Sequence, residues 1–318
     1  MLPALPAAAL DRAGWQEKRA LLGAEAERLR AAFARYKARV KDPAEDVVVP
    51  IDSFDDGTAK ATIHAEKAYY FLQEGMVWGE GVTLRQLRRD GSVEAEVKAA
   101  SCLVDRETKS GWAEGATEAA YGNRRLSGEG AYFSLAERYF RMVDRTVLVA
   151  DGVGFGSLAE VTAGRGDARE KPMAEPVTRK TRLCSHQADY DNEAGVIRFE
   201  GDVTVDDGEY RLASDVLWVF TEGTNEVSSV EAVGNVTLTN AQRRAACARA
   251  VYDRRRDRLE MFAATNGEPA KIVEDGERRS EIVGRRIVFW LDSEQVEVEA
   301  STVTIGAGLA GEGPWTGK

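Results

Sequence analysis

The sequence predicts a mainly β, antiparallel protein with one N-terminal α-helix. Three observations carry this. From about residue 47 onward, apolar and polar residues alternate over short runs, the period-2 pattern of strands with one face in an apolar interior. Clusters such as Asp55-Asp-Gly57, Arg89-Asp-Gly91 and Asp206-Asp-Gly208 punctuate the runs roughly every 8–12 residues, the spacing of a sandwich, barrel or roll. Strands and helices do not alternate, which disfavours a parallel α/β sheet.

The helix comes first, from about Leu10 to Val40. Leu22, Leu29 and Tyr36 recur every seven residues, and Ala26, Phe33 and Val40 follow each by four. These positions form one apolar stripe on an otherwise charged helix. Asp11 is placed to cap the start, and Asp42-Pro43 to end it. A stripe this narrow suits docking on a sheet or against another helix. Arg28, Arg30, Arg35, Lys37, Arg39 and Lys41 keep a membrane-surface helix open as the alternative.

The chain divides at 1–45 (tail and helix), 46–153 (a β segment), 154–178 (a linker or long loop rich in Gly and Pro), 179–305 (a second β segment) and 306–318 (a Gly-rich tail). Arg165-Gly166-Asp167 in the linker reads as a chance tripeptide. The clearest strands lie in Thr181–Val219. There Ile197, Phe199, Val203 and Val205 share one face, while Arg198, Glu200, Asp202 and Thr204 are expected in water. The same reasoning points Tyr210, Leu212, Leu217, Val219, Val236, Leu238, Leu259, Ile287 and Phe289 inward. Such residues either fill a closed core or line an open lumen.

Short glycine elements recur within the strands: Gly79-Glu-Gly-Val82, Gly128-Glu-Gly-Ala131, Glu200-Gly-Asp-Val203 and Val233-Gly-Asn-Val236. Glycine inside a strand marks a bend, bulge or close backbone approach. A roll of stacked hairpins needs one such bend per unit.

Composition narrows the function. With 43% hydrophobic and 30% charged residues over 318 positions, most of the chain is expected to be ordered. A net charge of −10 excludes an overall basic footprint for nucleic acid. No run approaches the roughly 18 apolar residues of a membrane helix. The apolar start, Met1 to Ala9, ends in an Ala-x-Ala-like triplet. It reads either as the tail of a signal peptide or as a disordered tip.

No active site emerges. His64 and His186 stand alone in strand patterns, and Cys102, Cys184 and Cys247 are far apart. The cysteines read as small buried residues, with one disulfide as the alternative. No metal-ligand spacing, GxSxG, P-loop or HExxH is present. Asp52-Ser-Phe-Asp-Asp-Gly57 reads as a turn, because Phe54 and Ile63 stand where a calcium loop needs ligands. No cofactor, no metal and no catalysis are expected.

Several of these elements, in order, carry a resemblance. Phe199-Glu-Gly-Asp-Val-Thr-Val205, Asp207-Gly-Glu-Tyr-Arg-Leu-Ala-Ser-Asp215, Val233-Gly-Asn-Val236, Ala250-Val-Tyr-Asp253 and Asn266-Gly-Glu-Pro-Ala-Lys-Ile272 resemble the periplasmic lipopolysaccharide-transport family with the OstA-like (LptA) fold. Asp55-Asp-Gly57, Ala65-Glu-Lys-Ala-Tyr-Tyr70, Gly79-Glu-Gly-Val-Thr-Leu84 and Asp90-Gly-Ser-Val-Glu-Ala95 more distantly resemble its sister component, LptC. The resemblance implies an open β-jelly roll, or β-taco, in the periplasm. Its lumen would hold acyl chains of lipopolysaccharide or a similar lipid, and its edge strands would pair with other β-jelly-roll transport components. The thirteen inward residues then become lumen candidates. Arg243, Arg244, Arg249, Arg254, Arg255 and Arg256 read as a solvated turn tip or as contacts to lipid phosphate. This chain departs in having two β segments and an N-terminal helix without a membrane anchor. The rival reading is a structural envelope protein with a closed core that binds a protein partner.

Overall fold

The computed structural model describes residues 11–151 and 180–305, apart from short breaks at 209, 223–225, 242, 275–279, 291–294 and 301. The expectations for the N-terminal tip, the 154–178 linker and the C-terminal tail lie outside the described residues.

Helix α1 (Arg12–Lys37) starts at Asp11, whose carboxylate accepts the Gly14 backbone N–H at 3.1 Å and so satisfies one orphan donor of the first turn. Nineteen strands follow among the described residues. The first half holds β1 (Ala44–Ser53), β2 (Ala59–Phe71), β3 (Met76–Leu87), β4 (Val93–Asp105), β5 (Ser110–Tyr121), β6 (Arg124–Ser134) and β7 (Tyr139–Asp151). After the undescribed stretch come β8 (Lys180–Ser185), β9 (Gln187–Asp191), β10 (Val196–Asp206), β11 (Arg211–Glu222), β12 (Glu226–Thr239) and β13 (Arg243–Asp253). The last six are β14 (Arg258–Phe262), β15 (Ala270–Glu274), β16 (Ser280–Gly284), β17 (Arg286–Trp290), β18 (Gln295–Glu299) and β19 (Thr302–Ile305).

All belong to one antiparallel meander. β1 to β7 pair in chain order. β8 and β9 together act as one bent strand between β7 and β10. Both β segments therefore share a single sheet. The same happens at the end, where β14 with β15, β16 with β17, and β18 with β19 run as bent pairs.

The bends line up. Register shifts fall at Ala99/Ser101, Ala113/Ala116, Ser127/Glu129, Glu200/Val203, Ala213/Val216 and Val233/Val236, on strands that are neighbours in the sheet. The repeated glycine elements sit on this line. Gly201 and Gly234 hold φ of +83° and +79°, a conformation that a side chain rarely adopts. Each is also crowded: a Cβ would come within 2.6 Å of the His186 ring or 2.2 Å of the Asp215 carboxylate. The line of bulges is a crease that folds the sheet into two facing walls.

α1 lies on the outer face of one wall, across the strands. Directly opposed residues Trp78, Leu103, Trp112, Tyr132, Arg141, Asp189, Arg198, Trp218 and Glu231 form one row over β3 to β12. Eight gaps of about 4.8 Å match a 26-residue helix of about 39 Å. The predicted stripe makes the contact, with Leu22, Ala26, Leu29, Phe33 and Tyr36 buried on this row and Val40 packed beside them. Trp15, which the stripe did not include, is buried edge-on against Trp218 at 5.0 Å.

Carboxylates of the wall and its turns meet the basic residues of the helix and just after it. Arg12 pairs with Glu231, Lys18 with Asp191 at 3.2 Å, Arg28 with Asp105 at 2.8 Å and Arg39 with Glu74 at 2.6 Å. Asp189, fully buried, accepts from Arg19 at 2.8 Å, Arg141 at 2.6 Å and the Tyr139 hydroxyl at 2.5 Å. Burial alone would raise its pKa, but Arg141 and Arg19 outweigh this and hold it below the ordinary carboxylate range. The expectation that Arg198 faces water is overturned. It is buried beneath α1, between Asp189 and Trp218 in the row, because the helix covers that side of the strand.

Candidate functional site

The inner faces of the two walls enclose the main apolar cluster, which runs from Ile63 and Ala65 in β2 to Ile287 in β17. Packing is not uniform along it. Between β2 and β10 the walls leave a cavity of about 190 Å³. One wall contributes Ala61, Leu84, Val97, Ala119 and Leu126; the helix-braced wall contributes Phe133, Leu135, Phe140, Ala188, Tyr190, Ile197 and Phe199. Alanine at Ala61, Ala95, Ala119 and Ala188 creates the space, since a longer side chain there would fill it. Leu126, Leu135, Phe140 and Ile197 point inward yet are only half-buried, so the trough presents apolar surface.

The trough opens to solvent beside Ala120 and Arg138, both exposed. Its rim is polar. Asp52 receives Lys60 and Lys109 at 3.0 Å each, which ties the tip of one wall to the turn between β4 and β5 on the other. Tyr190 donates to Asn192 at 3.1 Å. Burial, reinforced by Tyr121, pushes its hydroxyl up to about 12.

Most of the thirteen lumen candidates lie elsewhere. Ile197 and Phe199 line the cavity. Val203, Val205, Leu212, Leu217, Val219, Val236, Leu238, Leu259 and Ile287 face the same interior, but in its closed part, where they pack on one another. Phe289 packs against that cluster. Tyr210 is buried at the start of β11. A second space, lined by Leu238, Leu259 and Phe289 among others, is about 20 Å³, about the room for a single water.

The six arginines do not converge. Arg243 pairs with Glu274, Arg249 with Glu231, Arg255 with Glu222 and Arg256 with Asp253. Arg254 donates to the Val227 carbonyl at 3.3 Å, and Arg244 opposes Val273 in the sheet. They are spread along β13 and its following turn, so no single phosphate seat forms there.

Residues 183–295 match the family model described as LptA/(LptD N-terminal domain) LPS transport protein. The match covers less than half of the chain. It begins in β8 and ends at the first residue of β18. This LptA-like segment is the one whose motifs resembled that family in the sequence. The crystal structure of LptH, the LptA homologous periplasmic component of the lipopolysaccharide transport device from Pseudomonas aeruginosa, is similar at 16% identity. It aligns over 41% of this chain and 95% of that chain, with a TM-score of 0.34. No curated protein matches the chain. The LptC-like resemblance of 46–150 rests on its sequence motifs alone. Most of the cavity lining comes from this first segment, outside the matched residues.

His64 donates its Nε2–H to the Asp46 carboxylate at 2.8 Å on an exposed strand face. His186 caps the bend between β8 and β9, above Gly201. Cys102, Cys184 and Cys247 are free thiols. Among the described residues no three His, Cys, Asp or Glu side chains are placed to hold a metal.

Proposed function

We propose that this protein is a non-enzymatic component of lipopolysaccharide export in the periplasm that holds an acyl chain between its two walls. The observation that carries the reading is the apolar trough between β2 and β10, lined by half-buried side chains from both walls. The LptA-like match of 183–295 supports the lipid class. Each methylene moved from water into such a trough contributes about 0.8 kcal/mol, so binding needs no catalytic group. Among the described residues the edges of the sheet are β1 and the β18–β19 pair, where Val48 and Val296 are exposed. These edges suit strand pairing with other β-roll components.

The test is binding of purified lipopolysaccharide to the full chain and to Ala119→Phe, which fills the trough. The variant is expected to lose at least about tenfold in affinity, or 1.4 kcal/mol, with its unfolding midpoint unchanged. Absence of binding by the wild-type protein overturns the reading. It would favour a second one, an envelope protein that binds a protein partner, for which the closed packing around Leu212, Leu217 and Val236 speaks.

A further inference from the structure

We propose that Arg124 and Arg138, one from each wall, form a seat for the anionic head group of an amphiphile whose acyl chain lies in the trough. This rests on the trough reading and adds the polarity and orientation of its ligand.

Arg124 opens β6 on the unbraced wall, and Arg138 ends the turn between β6 and β7 on the braced wall. Both line the cavity where it meets solvent, beside Tyr121, Tyr190 and Asn192. Both also act on one atom. The Tyr190 hydroxyl is raised mainly by burial, then by Tyr121 and Glu94, while Arg124 and Arg138 each pull it down.

The charge balance of the rim favours an anion. Three carboxylates stand at or beside it: Asp52 pairs with Lys60 and Lys109, Glu96 with Arg85 and Lys98, and Glu94 accepts from Gln86 and Tyr121. The Arg138 side chain has no ion pair among the described residues. Against these three carboxylates stand six cations, Lys60, Lys109, Arg85, Lys98, Arg124 and Arg138, so the balance around the rim is positive on a chain of net charge −10. A planar guanidinium suits a phosphate or carboxylate, which it can grip with two parallel N–H bonds. The polar group must stay at the rim, because the floor offers only apolar side chains such as Leu84, Val97 and Phe199. The acyl chain then points inward and the head group bridges the two wall tips.

The experiment measures displacement of a neutral fluorescent dye from the full chain by dodecyl phosphate, dodecanoate and dodecanol, which share one chain and differ in the head. The wild-type protein is expected to prefer both anionic probes over dodecanol by about tenfold, the scale of one charge-assisted contact. That preference should shrink as salt is raised. Arg138→Gln should bring the ratio to within about twofold while dodecanol affinity stays constant, and Arg138→Lys should restore part of it. Arg138 is exposed on a turn, so its variants test the seat without disturbing the core. Equal affinity of the wild-type protein for dodecyl phosphate and dodecanol overturns the proposal, as does an unchanged ratio in Arg138→Gln. Competition by inorganic phosphate as strong as by dodecyl phosphate would make this a free-anion site and also overturn it. If dodecanol itself fails to bind, the trough reading fails, and the seat with it.

Discussion

Arg19 of the helix donates its Nε–H to Asp189 across 2.8 Å, and Asp189 is wholly buried in the centre of the wall. Arg141 and the Tyr139 hydroxyl reach the same carboxylate from the neighbouring strand. One acidic residue thus joins the helix to the sheet and pairs with two cations at once, one of which, Arg19, it shares with Glu200.

Asp189→Ala is therefore expected to cost about 3–5 kcal/mol, because it leaves the buried Arg141 charge unmatched. Asp46→Asn, at an exposed carboxylate, should change stability by no more than about 0.5 kcal/mol. Urea unfolding of both variants checks this.

Acid should weaken the same contact. Glu200, hydrogen-bonded by Arg198 and attracted by Arg19, has its pKa lowered from 4.5 to about 2. A carboxylate with a depressed folded-state pKa stabilises fully above its unfolded value and loses that contribution as pH falls through the folded one. The unfolding midpoint should hold from pH 7 to about 4.5 and drop toward pH 2, Asp189 adding to the fall below about 3.8. The Glu200 side chain is 42% exposed, so solvent screening limits its share to about 1 kcal/mol. Glu200→Gln should flatten the curve by that amount.

Gly201→Ala tests the crease. The new methyl group would meet the His186 ring at 2.6 Å at a φ of +83°. A loss of about 1–3 kcal/mol is expected. His186→Ala in the same chain should recover the steric part and leave the backbone part, which a double-mutant cycle separates.

Thiol chemistry reports on packing. Burial pushes both Cys102 and Cys247 up to about 12, against about 8.5 for a free thiol. A thiol reagent at pH 8 should modify both far more slowly in the native protein than in urea. Equal rates would mean that the interior around them is open.

Much of the fold was legible in the sequence. The helix needed only its stripe and its Asp11 cap, because 3.6-residue periodicity survives whatever the helix docks on. The strands were legible as short runs, such as Val93–Ala99 and Cys102–Arg106. The structure joins these into β4 across a bulge. The glycine elements announced the bends but not their alignment, which depends on register between strands. The trough was not legible. Ala61, Ala95, Ala119 and Ala188 look like any small strand residues, and nothing in an alanine tells whether the space beyond it is filled. Leu212 and Val236, by contrast, carry the same period-2 signal whether they line a lumen or close it. The rim was hidden for another reason. Lys60 stands far along the chain from Arg124, and Arg138 lies beyond the other end of β6 from Arg124, and only the curl of the sheet brings them to one opening.

The helix across β3 to β12 has a mechanical consequence. It splints one leaf of the fold along nine strands, with apolar and ionic contacts at both ends. Among the described residues the opposite leaf has no such splint, and it turns Lys98 and Arg85 to water. A change in the width of the trough is then expected to move the second leaf, about the glycine crease, more than the first.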